Sequence, residues 1–470
     1  MRRLTAALTA AAVLVVGYAG LDAAEFVPGL LTTRPLPPPP PTETPGTRTL
    51  PVVPQPSPST SVRMPLGSLA GESAAPSAAG VRRALARVLD LPALSDAALV
   101  VRDGQSGQVL FDQGGTERRI PASTTKLLAA AAVGQVFTPD ETLKTQVRQG
   151  ATANEIVLVP GGDTLIAPGV GDRDAVAGHA GLADLANQVV KALEDSGIDE
   201  VTLSLDRSYA PGPTHAATWG ADFHRLGIVG AVTMLGLSTE RAAENHPAPN
   251  DPVTSTVDAF AALLEKRGIS VTTTATGSAA PSQRVLGSVE SAPVRDQLAL
   301  ALTDSDNTLT EVLARQAAFR DGAATDFPDV GDWIVEQIAA LGIDTQGVAL
   351  SDASGLSREN RVTGDLLTDV LALGYDGKHP VLRTALEGMP IAGLTGTLED
   401  RFAIDSTADA AGRARAKTGT LTGANALAGS VVDDDGRLLV YAGLVAGAPT
   451  LEARAALDRF VAAIAACGCR

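Results

Sequence analysis

Ile120-Pro121-Ala122-Ser123-Thr124-Thr125-Lys126-Leu127-Leu128-Ala129-Ala130 is the stretch on which the reading of this chain turns. Ala-Leu-rich sequence follows it and Pro121 stands just before it, so it reads as the first turn of a buried helix. Residues three apart on a helix share a face, which brings the Ser123 hydroxyl within reach of the Lys126 amine. A serine becomes a nucleophile when a neighbouring base takes its proton. Lysine is such a base only when its pKa falls well below the free value of about 10.4. Burial lowers it, and so do a second ammonium and the positive end of a helix dipole.

Lysine is scarce in this chain. Of 37 basic residues only six are Lys, at 126, 144, 191, 266, 378 and 417. A chain that uses Arg for ordinary surface charge has placed Lys where a cation must be able to release its proton, which Arg does not do. Ser-x-x-Lys by itself is a weak pattern, since a solvated lysine one turn into a helix is spelled the same way.

The chain has 470 residues, enough for two or three domains. Hydrophobic residues make up 45% and aromatics only 3%, so the cores must be built from Ala, Val and Leu. The net charge of −16, with no basic cluster to offset it, argues against a nucleic-acid partner. Met1-Arg2-Arg3 followed by an uncharged run from Leu4 to Leu21 reads as an export segment, 1–24, either a cleaved signal or a retained anchor. Both place the body of the protein outside the cytoplasm. Eleven of the 24 residues from Pro35 to Pro58 are proline, which favours an extended, semi-rigid spacer within a linker over 25–80. The two cysteines, Cys467 and Cys469, cannot make a disulfide framework or a complete zinc site. A bridge between them would close almost no loop.

In the folded body, helices are expected over 82–89, 181–196, 257–267, 294–303, 309–319 and 451–466. Strands are expected over 97–101, 108–111, 155–159, 201–205, 270–274, 413–421, 426–432 and 438–445. Asp433-Asp434-Asp435-Gly436 is the hairpin turn between the last two strands.

Two further motifs lie far from the first. Thr303-Asp304-Ser305-Asp306-Asn307 sits between two helices, and Ala416-Lys417-Thr418-Gly419-Thr420 opens a strand. Ser-x-x-Lys, Ser-Asp-Asn and Lys-Thr-Gly together form the set found in penicillin-binding proteins and class A β-lactamases, each here once and in the required order. The roles separate physically. The Ser305 hydroxyl both donates and accepts, so it can relay a proton between Lys126 and a leaving amine. Asn307 can hold Lys126 and a substrate amide. Lys417 adds a second ammonium, and Thr418 and Thr420 can bind a substrate carboxylate. Gly419 leaves room for an extended peptide along the strand edge. The Ser123 and Thr420 N–H groups are the natural oxyanion pair. No metal or cofactor is called for.

From about Val81 to the last helix the chain resembles the class C low-molecular-mass penicillin-binding proteins, the D-alanyl-D-alanine carboxypeptidase/endopeptidase family. Besides the motifs, Gly161-Gly162-Asp163, the run from Asp352 to Arg358, Gly393 to Leu398 with Arg401, and Lys417 to Gly429 carry the resemblance. So does the 179-residue separation of Lys126 and Ser305, which in this family holds inserted domains. The resemblance implies an α+β fold of the penicillin-binding-protein/serine β-lactamase type, an antiparallel sheet flanked by helices, with an inserted mixed α/β region. The catalytic domain would run over 81–146 and 287–470, with the insertion at 147–286. It implies a serine DD-peptidase that cleaves peptidoglycan stem peptides through a Ser123 acyl-enzyme, is acylated there by β-lactams, and works at the cell wall or the outer face of the cytoplasmic membrane, with the amino-terminal segment as tether. By the same resemblance Asp163 is the candidate partner for the amino group of the stem peptide's diamino acid. Thr164 stands where the family usually has proline, which weakens that transfer, and Ala353 replaces a usual glycine. Two rivals are a β-lactamase, for which no water-activating carboxylate can be assigned, and a non-catalytic wall-binding protein that keeps the fold.

Overall fold

A computed structural model describes residues 75–468, so the export segment, most of the Pro-rich linker and Cys469 lie outside the described residues. Among the described residues no helix is long and apolar enough to cross a membrane.

The sequence first lays down helix α1 (Ala78–Leu89), then strands β1 (Ala97–Asp103) and β2 (Val109–Gln113). A 3₁₀ turn over Ala122–Thr124 leads into helix α2 (Thr125–Val136). The expected single helix is thus split, because Ala122 takes a left-handed φ of 47° that turns the chain sharply before the α-helical ladder begins. From Thr125 to Val133 every residue of α2 is buried. A helix with no polar face belongs at the centre of a layer, and its run of alanines lets neighbouring helices approach closely.

The carboxyl-terminal third supplies β8 (Ala414–Leu421), β9 (Ala424–Val432) and β10 (Leu438–Ala446), then helix α10 (Thr450–Ala465). These strands join the first two in one antiparallel sheet of order β2-β1-β10-β9-β8. The pairing of β1 with β10 ties the two ends of the folded chain together. On one face α1 and α10 bury Val81, Leu85, Leu457, Phe460 and Ile464. On the other, α2 packs with α5 (Val294–Thr303), α6 (Asn307–Arg320), α7 (Phe327–Ala340), α8 (Gly364–Gly374) and α9 (Pro380–Glu387). Strand β8 is an edge, and that edge faces the site.

A second sheet, of order β6-β5-β4-β3-β7, is built from β3 (Lys144–Gln149), β4 (Glu155–Val159), β5 (Glu200–Leu205), β6 (Ser270–Thr273) and β7 (Val285–Glu290). It is mixed: β3 pairs antiparallel with β4 and β7, while β4-β5 and β5-β6 are parallel. Helices α3 (Leu182–Glu194) and α4 (Pro252–Glu265) cover it with Leu185, Val189, Phe260 and Leu264. The α+β class, with an antiparallel sheet flanked by helices and a mixed α/β part between, is as expected. Five elements were not anticipated: β3, β7, α7, α8 and α9. Helix α4 also begins five residues early, where Asp251 accepts from the Thr254 N–H and Pro252 fills the first turn.

Candidate active site

The sharp turn at Ala122 aims Ser123 outward from the start of α2, half-buried, with Lys126 one turn on and only 1% exposed. The Lys126 Nζ donates to three oxygens: Ser123 Oγ at 3.2 Å, Asn307 Oδ1 at 2.6 Å and the Ser354 carbonyl at 2.7 Å. Burial pushes its pKa down to about 8, against the pull of Asp352, Glu311 and Asp306.

Ser305 and Asn307 come from the short link between α5 and α6. Ser305 itself is left-handed, with φ 56°, a conformation that costs a non-glycine residue about 1 kcal/mol or more and persists only where its surroundings fix it. Its Oγ accepts from Lys417 Nζ at 2.8 Å, and the same amine reaches the Thr418 carbonyl at 2.9 Å. Lys417 is fully buried. Burial and the neighbouring Lys126 ammonium hold its pKa well below the usual lysine range. The amine bonded to Ser305 Oγ is thus that of Lys417. Asn307 holds Lys126 as expected, but its Nδ2 donates to the Ile228 carbonyl at 2.6 Å.

On β8, the Ala416 N–H donates to the Pro390 carbonyl and the Ala414 carbonyl accepts from Ala392, both away from β9. Backbone groups alternate along a strand, so the Thr418 and Thr420 N–H groups lie on that same outer edge. Thr418 Oγ1 donates to Thr397 Oγ1 at 2.8 Å, and the exposed Thr420 accepts from Arg454 Nη2 at 3.1 Å. Gly419 is the point of closest approach to the serine turn: a Cβ there would sit 2.6 Å from the Pro121 carbonyl and 3.1 Å from the Ala122 Cβ. Glycine is required by proximity, not by φ.

Beneath Lys126 lies a layer that sequence reading missed. Glu311, on α6 one turn after Asn307, accepts from the N–H groups of Ala353 (3.1 Å) and Ser354 (2.7 Å). It thereby orients the Ser354 carbonyl that receives Lys126. Burial and the charge of Asp352 push the Glu311 carboxyl up to about 7. Asp352 accepts from the N–H groups of Gly355 and Ser357, from Asn360 Nδ2 and from Trp219 Nε1.

Asp163 is set apart from this group. It is 1% exposed, its Oδ1 accepts from the Leu165 N–H at 2.8 Å, and burial pushes its pKa up to about 7. The structure brings Ser123, Lys126, Ser305, Asn307, Lys417, Thr418, Gly419 and Thr420 together, while the hydrogen bond of Asp163 goes to Leu165 and not to any of them. Its carboxyl is shielded from solvent, with the Leu165 N–H as its hydrogen-bond donor.

This fold, with a serine beside one buried amine and a second buried amine on the adjoining edge strand, defines an active-site serine enzyme of the penicillin-binding-protein type. Residues 81–227 and 237–466 match the D-Ala-D-Ala carboxypeptidase 3 (S13) family, and the chain belongs to it. Carboxypeptidase DacB of Mycolicibacterium smegmatis is 33% identical over 400 residues, covering 84% of this chain and 85% of that protein. The D-alanyl-D-alanine carboxypeptidase of Actinomadura sp. strain R39 is 28% identical over 460 residues, covering 80% and 84%. Among solved structures, penicillin binding protein 4 of Haemophilus influenzae shares the fold with a TM-score of 0.65 at 18% identity, over 81% of this chain and 97% of that one. The chain is thus a serine-type D-Ala-D-Ala carboxypeptidase, acting on peptidoglycan outside the cytoplasm.

Proposed function

We propose that Ser123 attacks the carbonyl of the penultimate D-alanine of a stem peptide, forming an ester and releasing D-alanine. The observation that carries this reading is the buried Lys126 amine 3.2 Å from Ser123 Oγ. A charged ammonium has three N–H donors and would use all of them on its three oxygens. A neutral amine keeps two for its shorter contacts, Asn307 and Ser354, and turns its lone pair to the serine hydroxyl. In that form Lys126 takes the Ser123 proton as the C–O bond forms. The oxyanion lies between the N–H groups of Ser123 and Thr420, which occupy a helix start and an unpaired strand edge. As the C–N bond breaks, Ser305 passes a proton from the Lys417 side to the departing amine. Water then attacks the ester, with proton transfers reversed, and restores Ser123.

Thr418 and Thr420 bind the terminal carboxylate, and Gly419 lets the peptide lie against β8. Penicillins mimic this peptide and acylate Ser123; the Haemophilus influenzae relative has a structure with a β-lactam bound. A β-lactamase reading needs a carboxylate free to activate water. The two carboxylates beneath Lys126, Glu311 and Asp352, are each engaged with backbone N–H groups instead. We draw the catalytic domain as 81–143 with 291–466 and the insertion as 144–290, which keeps β3 and β7 whole. The uncharged run Leu4–Leu21 and the proline-rich spacer suit export and display in the wall, with a membrane tether as one form of it.

The test is a digest of purified muropeptides followed by mass spectrometry. Loss of a terminal D-alanine from pentapeptide stems, abolished in Ser123→Ala, is expected. Intact stems with the wild-type protein would refute the reading.

A further inference from the structure

Between β5 and α4, residues 206–251 enter neither sheet. They do not form a detached loop. Trp219 Nε1 donates to Asp352 Oδ2 at 2.7 Å, the Ile228 carbonyl accepts from Asn307 Nδ2 at 2.6 Å, and the Gly230 N–H donates to Thr308 Oγ1 at 2.7 Å. Each contact lands on a loop or helix start that holds a site residue. The fourth is the most pointed. The Arg241 guanidinium, its side chain 9% exposed, donates from Nη2 to Asp304 Oδ2 at 3.0 Å, and from both Nε (3.0 Å) and Nη2 (2.8 Å) to Asp306 Oδ2. Asp304 and Asp306 are the two neighbours of Ser305.

The geometry at that link needs such a clamp. Asp304 ends α5, its N–H donating to Leu300, and Asp306 opens α6, its Oδ1 accepting from the Leu309 N–H. Between them Ser305 sits in a left-handed conformation that has no glycine to relieve it. Two carboxylates flanking one strained residue repel each other and open the link unless a cation bridges them. Arg suits this task because its rigid fork addresses both at once, whereas a lysine offers a single point charge. If the link opens, Ser305 Oγ moves off Lys417 and Asn307 Oδ1 moves off Lys126.

We propose that Arg241, supplied by the chain between the first and second motifs, is a positioning residue for the reaction. It touches no reacting atom, and acts through Asp304 and Asp306 to hold Ser305 and Asn307 in register with the two lysines. The intervening region thereby completes the catalytic cleft as well as extending it. This rests on the proposed role of Ser123.

The experiment is stopped-flow acylation by a fluorescent penicillin on the full chain. It reads three quantities separately: the limiting rate constant, the saturation constant and the fraction of chains labelled. Displacements of the order of an ångström at such groups cost about 10- to 100-fold in rate. Arg241→Gln is expected to lower the limiting rate constant by that factor, with the saturation constant within about threefold and nearly every chain still labelled. Arg241→Lys should recover part of the loss, and Asp304→Asn, which removes one arm of the clamp, should slow acylation a few-fold. A purely structural role gives a different pattern, a smaller labelled fraction whose rate constant is that of the wild type, and that pattern overturns the proposal. Should Arg241→Gln fail to fold, wild-type rate constants in both Arg241→Lys and Asp304→Asn overturn it equally. If the wild-type protein is itself not acylated at Ser123, the function proposed above has failed first, and that is seen before any variant is compared.

Discussion

The cleft at the edge of the first sheet and the segment that follows β4 both bury ionisable groups, but in opposite ways. In the cleft, Lys126 and Lys417 are buried among oxygens, each amine with two or more acceptors and each facing the other's charge. In the segment after β4, Asp163 is buried with one backbone N–H for company. Burial perturbs all three. Only in the cleft does the perturbation coincide with a nucleophile in reach, partners that hold the neutral form in place, and an open strand edge for a ligand. A shifted pKa marks chemistry when it is part of such a convergence, and otherwise records a polar group tolerated in a core.

The contrast is broken most completely at the hydroxyl. Ser123→Ala should give no covalent penicillin adduct by intact-mass measurement, while the wild type gains one per chain. Next is the base: Lys126→Arg keeps the charge and cannot release it, so acylation should fall by about 10²- to 10⁴-fold. Near-normal labelling of that variant would remove Lys126 from the mechanism. Gly419→Ala places a Cβ 2.6 Å from the Pro121 carbonyl and pushes β8 from the serine turn. A loss of about 10²-fold in acylation is expected, with circular dichroism unchanged. Smaller still is the effect of pH. With the Lys126 pKa lowered to about 8, roughly a tenth of chains hold the neutral amine at pH 7. Acylation should therefore rise above pH 7 as Lys126 becomes neutral, and fall again once Lys417, which supplies the leaving group's proton, has lost its own.

Asp163→Asn sharpens the other side and should leave acylation within about twofold. Its folded-state pKa is raised from 3.8 to about 7, so the native state binds the extra proton between those values. The stability it contributes is full below pH 3.8 and is lost as pH rises through 7. Melting curves should show a decline of a few kcal/mol over that interval in the wild type, and a smaller one in the variant, where Glu311, also raised to about 7, still titrates. A variant with the wild-type slope would contradict the burial of Asp163.

Much of this was legible because each motif is short and local. Ser-x-x-Lys needs only helical spacing, and the hairpin of β9 and β10 announces itself at Asp433–Gly436. Helices α7 and α8 carried readable caps, Asp326 accepting from the Asp329 N–H and Thr363 from the Leu366 N–H, yet went unassigned. Strands β3 and β7 had no such signal. They pair with each other across more than a hundred residues, and β3 buries only Thr145 and Val147 among polar neighbours. Glu311, beneath Lys126, and Arg241 were hidden for a similar reason: they act through contacts about 40 to 65 residues apart in sequence, Glu311 to Ser354 and Arg241 to Asp306. Asp163 is the reverse case, a residue brought in by family likeness whose burial no local pattern revealed.

With only six lysines in the chain, their side-chain nitrogens can be followed one by one by nuclear magnetic resonance in ¹⁵N-lysine-labelled protein through a pH titration. Two amines should lose their protons well below the ordinary lysine value of about 10.4, one of them near pH 8, and Lys126→Met and Lys417→Met should each delete one of these signals and shift the other. Six lysines titrating together near the ordinary value would contradict a cleft in which two buried amines share a proton beside Ser123.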